Sequence, residues 1–143
     1  MFNNILICSF VPKNNKHTIE TTFKIAKKFD SSIIFLKCIH KELPTFAFFH
    51  RKSEKEKHEG VTKEMQLEQE EFEEMAKKNN ISIKTEGVFV ESLSEYVATY
   101  VKNNNIDLFV ADSSPPSDIT LHDYKDVVNH IYKDIDCAIL TLK

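Results

Sequence analysis

The sequence predicts an α/β protein, a doubly wound five-stranded parallel sheet in the order 3-2-1-4-5 with helices on both faces. Three observations carry this. Short, continuous apolar runs of strand length recur along the chain, each such run being the mark of a strand covered on both faces. Stretches with apolar residues at helical spacing separate them, and clusters of Asn, Asp and Ser punctuate the junctions. Strands alternating with helices imply successive right-handed parallel crossovers, and five strands are too few to close a barrel of about eight.

Ile5-Leu6-Ile7-Cys8 is the first strand. Ile19, Phe23, Ala26 and Phe29 then mark a helix that Asp30-Ser31-Ser32 breaks, and Ile33 to Ile39 is the second strand. After a less regular stretch from His40 to about Glu59, Val61, Met65, Phe72, Met75 and Ala76 lie on one face of a charged helix ended by Asn79-Asn80. Ile81 to Val90 is the third strand, in which Gly87 suggests a bulge or a close approach. Ser92 and Glu95 form a capping box for a helix carrying Leu93, Val97, Tyr100 and Val101, which Asn103-Asn104-Asn105 stops. Leu108 to Ala111 is the fourth strand. Tyr124, Val127, Val128 and Ile131 repeat at i, i+3, i+4 and i+7, and Ala138 to Leu142 is the fifth strand.

With 143 residues and no linker, repeat or low-complexity stretch, the chain reads as one domain, 1–143. A net charge of −3 gives no basic footprint, so no nucleic-acid partner is expected. No apolar run approaches membrane-spanning length, and the opening MFNNILICSF lacks a signal peptide's basic head and cleavage site. Cys8, Cys38 and Cys137 each sit in an apolar run without CxxC spacing, which reads as core-filling thiols of a reducing, cytoplasmic compartment. The six histidines show no tight ligand spacing, so no metal site is expected. No nucleophile–base arrangement stands out, so no catalytic residue is assigned.

In an open α/β sheet, ligands bind beyond the carboxyl ends of the strands where the strand order reverses. Here the relevant loops begin at Ser9-Phe10 and at Asp112-Ser113-Ser114-Pro115. Neither contains glycine, and the whole chain has two, Gly60 and Gly87. Phosphate loops need glycine for close approach of bare N–H groups, so Rossmann, P-loop and flavodoxin-type readings fail. A receiver domain fails separately, because the first strand ends in Ser9 and Phe10 and not in magnesium-holding acids.

From Asp107 to Leu142 the chain resembles, in gapless register, the C-terminal half of the universal stress proteins, which share the adenine nucleotide alpha hydrolase-like fold. Asp107-Leu108-Phe109-Val110 matches that family's fourth strand, Val127 and Ile131 its last helix, and Cys137-Ala138-Ile139-Leu140 its final strand. The family's ATP motif runs glycine, two residues, glycine, nine residues, glycine, then serine or threonine. On this chain those positions carry Asp112, Pro115, Lys125 and Asp126, so every member is replaced. By the same resemblance, the aspartate that ends the family's first strand falls on Phe10, and an adenine-contacting valine on Cys38.

Pro115 removes a backbone donor from that loop, and Asp112 and Asp126 place negative charge where phosphates would lie, at a cost on the order of a few kcal/mol each. Lys125 offsets part of this, and Ser113, Ser114 and Ser117 keep hydroxyl donors. The weak cofactor-site candidates are therefore Phe10, Cys38, Ser113, Ser114 and Lys125, and no cofactor is expected. The resemblance implies a non-catalytic stress-response or regulatory module, the alternative being a small-molecule or adenine-nucleotide binder with a rebuilt pocket.

Phe46, Phe48 and Phe49 form an unusual aromatic segment, read as capping the sheet end or as self-association in preference to a foreign protein partner. The charge run Lys52 to Lys78 reads as a solvated helix face with Glu–Lys pairs. Strand five is an apolar edge, protected by Lys143 alone, which invites pairing with a second copy. The family resemblance implies the same homodimer through Ala138 to Leu142.

Overall fold

Ile5, Leu6, Ile7 and Cys8 are all buried because their strand runs through the middle of the sheet with both faces covered. The computed structural model describes residues 2–9, 16–40, 63, 66–90, 93–112 and 129–142. In chain order these form β1 (Asn4–Ser9), α1 (Lys16–Phe29), β2 (Ser32–His40), α2 (residues 66–78), β3 (Ile83–Val90), α3 (Leu93–Asn103), β4 (Leu108–Asp112), α4 (residues 129–134) and β5 (Ala138–Leu142). The sheet order is β3-β2-β1-β4-β5, with every neighbouring pair parallel, as the alternation of elements predicts. The capping box at Ser92, the aromatic segment at Phe46–Phe49 and the repeat Tyr124–Val128 lie outside the described residues.

Alternate side chains of each strand enter two cores. Ile5, Ile7, Ile33, Phe35, Leu108 and Val110 face α1 and α2, where they meet Ile19, Phe23, Phe72 and Ala76. Leu6, Cys8, Leu36, Cys38, Phe109 and Ala111 face α3 and α4, meeting Val97, Tyr100, Val101 and Ile131. Phe29, placed on α1's apolar face by its spacing, stands at the rim. It is 38% exposed and meets Phe2 edge-on at 5.5 Å.

Three helices stop in the same way. Asp30, Asn80 and Asn105 take φ near +54°, +55° and +53°. In each case the next residue's N–H returns to a carbonyl five residues earlier: Ser31 to Ala26 (2.8 Å), Ile81 to Ala76 (2.9 Å) and Ile106 to Val101 (3.1 Å). This is the Schellman closure, and Asn or Asp is the residue that tolerates its left-handed position when glycine is absent. It gives a mechanism to the breaks read from the Asn and Asp clusters.

Of the two sequence readings of Gly87, a bulge or a close approach, the first does not hold. The β2–β3 register runs unbroken from Ile33↔Ile83 to His40↔Val90, with Lys37 opposite Gly87, so there is no bulge. Paired residues of parallel strands share a face, so the missing side chain leaves room beside Lys37.

Candidate functional site

β1 lies between β2 and β4, and the chain crosses to opposite sides of it, so the strand order reverses at the carboxyl ends of β1 and β4. Ser9 and Asp112 terminate those strands. Of the candidates read from sequence, Cys38 is described; Phe10, Ser113, Ser114 and Lys125 lie outside the described residues.

Cys38 lies in the core near the carboxyl end of β2. It is 1% exposed and its sulfur lies 3.7 Å from that of Cys8, either thiol being able to donate to the other. Burial, reinforced by that contact, pushes the Cys8 thiol well above its usual value. The two thiols belong to the same packed core as Ala111.

Next to the thiols, Tyr96 stacks on Tyr100 with ring centroids 6.2 Å apart. The Tyr100 hydroxyl donates to Glu86 Oε2 at 2.8 Å, and Lys84 Nζ meets Glu86 Oε1 at 2.9 Å. Lys84 first, and Tyr100 second, hold the Glu86 carboxyl below its usual value. Burial first, then the Glu86 carboxylate, push the Tyr100 phenol up. Tyr96 is also raised, mainly by burial. The Tyr100 phenol is thereby held protonated as the donor to Glu86.

On the other face, Lys37 Nζ and Glu68 Oε1 are 3.1 Å apart, with side chains 1% and 9% exposed. The sequence reading missed both residues, because Glu68 belongs to a charge run taken as solvated. The available signal was Lys37 itself, a charge inside an apolar strand covered on both faces, which demands a buried partner.

A shallow cleft of about 550 Å³ lies at the opposite end of the sheet, where Val101 and Ile106 form the apolar wall and Lys102, Asp134 and Asp136 the rim. No three metal-ligating side chains converge among the described residues.

No protein-family model matches the chain, and no curated protein does. Solved structures do. The universal stress protein UspA from Lactobacillus plantarum superposes with a TM-score of 0.72 at 15% identity, covering 99% of this chain and 98% of that one. A universal stress protein family protein from Arabidopsis thaliana with AMP bound gives 0.59 at 13% identity, covering 99% and 91%. A universal stress protein in complex with cAMP gives 0.62 at 11% identity, covering 99% and 97%.

The chain has the universal-stress-protein fold.

At these identities the likeness is one of architecture. It matches the strand and helix pattern on which the resemblance was drawn, across nearly the whole chain and in the same sheet order. Within the universal-stress-protein fold, Cys38 stands two residues before the end of β2, beside the crevice where the strand order reverses.

Proposed function

We propose that this chain is a non-catalytic, homodimeric module with the universal-stress-protein fold, acting in stress response or regulation through protein contacts and without the ATP site of that family. One observation carries the reading. On a frame with the family's sheet order, the positions that would cradle phosphate carry Asp112, Pro115, Lys125 and Asp126 in place of glycines and a hydroxyl residue. A backbone donor is lost and charge of the wrong sign is added where anion binding needs bare N–H groups. The three thiols are free, which supports a reducing, cytoplasmic setting.

Thermal-shift titration with ATP, AMP and cAMP tests this reading. No stabilisation is expected at millimolar ligand, whereas a rise of several degrees at sub-millimolar ATP overturns it.

A second reading is favoured by the structures with AMP and with cAMP that share this fold. In it, Ser113, Ser114 and Lys125 hold an adenine nucleotide in a rebuilt pocket at the ends of strands β1 and β4. Native mass spectrometry of freshly purified protein separates the two. Retained nucleotide mass supports the second reading, and a ligand-free dimer the first.

A further inference from the structure

Cys8 and Cys38 lie on adjacent parallel strands, on the same face of the sheet, with their sulfurs in contact at 3.7 Å. Core filling explains a buried thiol at either position, because a thiol packs as a small apolar group. It does not require that the two thiols meet. Cys137 provides an internal contrast. It is half-buried just before β5, away from that contact, with Asp107 and Asp136 acting on it.

We propose that Cys8 and Cys38 are a modification site, a dithiol that a hydroperoxide converts into an intrachain disulfide at the ligand end of the sheet. The sulfurs need to approach by roughly 1.7 Å to reach disulfide bonding distance. One sulfur, as thiolate, attacks a peroxide oxygen. The O–O bond breaks, hydroxide leaves, and a sulfenic acid forms. The second sulfur attacks the first, the S–O bond breaks, and a second hydroxide leaves as the S–S bond forms. The two thiol protons end on the two hydroxides, so two thiols and one hydrogen peroxide give one disulfide and two waters. Each sulfur loses one electron and the peroxide gains both.

Burial sets the pace of this reaction. Cys8 and Cys38 are 4% and 1% exposed, and burial pushes the Cys8 thiol well above its usual value. The closed structure therefore holds few thiolates within reach of oxidant, and reaction follows opening of the strand ends. The pair answers sustained oxidation and ignores brief exposure. Its product replaces two buried thiols by one cystine that ties β1 to β2.

The test treats the full chain, as wild type and as Cys137→Ser, with hydrogen peroxide, then blocks remaining thiols with N-ethylmaleimide and maps the peptides by mass. A Cys8–Cys38 linked peptide is expected, with an intact mass lower by two hydrogens and both thiols recovered on reduction by dithiothreitol. Sub-denaturing urea is expected to raise the rate by about tenfold, because it populates the open ends. In Cys38→Ala, dimedone is expected to trap a sulfenic acid at Cys8. If that variant does not fold, the wild-type peptide map decides by itself. Two unlinked, fully alkylated thiols after peroxide exposure sufficient to oxidise the urea-unfolded chain overturn the proposal. So does oxidation confined to Cys137.

Discussion

Lys37 Nζ lies 3.1 Å from Glu68 Oε1, joining the carboxyl half of β2 to α2 inside the core. Both charges have left water, which costs several kcal/mol per ion, and their attraction in a low-dielectric setting roughly repays that. The pair is therefore weak evidence of net stability and strong evidence of position. Gly87, opposite Lys37 on β3, leaves space along the lysine stem, and Phe35 and Phe72 meet edge-on at 4.7 Å between the same two elements. The ion pair and the ring pair fix α2 along β2.

Removing one partner leaves the other charge buried without this ion pair. Lys37→Met is expected to destabilise the fold by about 3–5 kcal/mol, measured by urea denaturation, because the Glu68 carboxylate is left buried. The double variant Lys37→Met, Glu68→Leu is expected to lose less than the single one. A double variant that loses the sum of the two single effects contradicts the coupling.

Acid stability should carry the signature of Glu86. Its folded-state carboxyl sits below the usual value, chiefly through Lys84 and then Tyr100, so the unfolded chain binds its proton more readily. The resulting stabilisation is present above the ordinary carboxylate range and is lost as pH falls through the lowered folded value. Lys84→Ala should move the Glu86 titration, followed by carboxyl NMR, back toward the ordinary range, and Tyr100→Phe should move it less. Because Glu86 is about a third exposed, solvent screening keeps the effect at neutral pH well under about 1 kcal/mol. An unchanged titration in Lys84→Ala contradicts the assignment.

Asp107 holds the start of β1. Its two carboxylate oxygens accept from the Asn3 and Asn4 backbone N–H groups at 2.8 and 3.0 Å, while the Asp107 N–H donates to the Asn4 carbonyl at 3.1 Å. Asp107→Ala should cost about 1–2 kcal/mol, since two donors lose a charged acceptor near the surface. Faster amide hydrogen exchange at Asn3 and Asn4, with β3 unaffected, is the local readout.

The fold was legible because β1, β2 and β4 are covered on both faces, and such strands appear in sequence as uninterrupted apolar runs. The helix ends were legible because Asp30, Asn80 and Asn105 occupy left-handed positions that few residue types tolerate. The Cys8–Cys38 contact and the Lys37–Glu68 pair were not. Each depends on pairing register or on the angle of α2 over the sheet, and neither quantity leaves a local mark. Gly87 left two readings open for a related reason. A glycine in a strand signals either a distorted ladder or room for a neighbour, and the neighbour here, Lys37, comes from another strand. Of the candidate site, sequence supplied the location and the lost glycines, while the contact between the two thiols required the structure.

The sheet ends at β5, and this edge carries the proposed dimer. β4 pairs with β5 from Leu108↔Ala138 to Asp112↔Leu142, and no other described strand pairs with its outer side. Leu140 and Leu142 turn inward to the α1/α2 core, whereas Ala138, Ile139 and Thr141 are exposed, Ile139 to 36%. The Tyr132 and Thr141 hydroxyls share a hydrogen bond of 2.8 Å, which ties α4 to the strand. An apolar edge of this kind offers unpaired N–H and C=O groups to a second copy across a twofold axis. Sedimentation velocity is expected to find a dimer at micromolar concentration. Ile139→Lys places a charge on the exposed side of the edge and should shift the equilibrium to monomer, with a melting temperature close to that of a wild-type monomer. Wild type that sediments as a monomer at tens of micromolar would remove the dimer from the proposed function, leaving the altered phosphate positions as its remaining support.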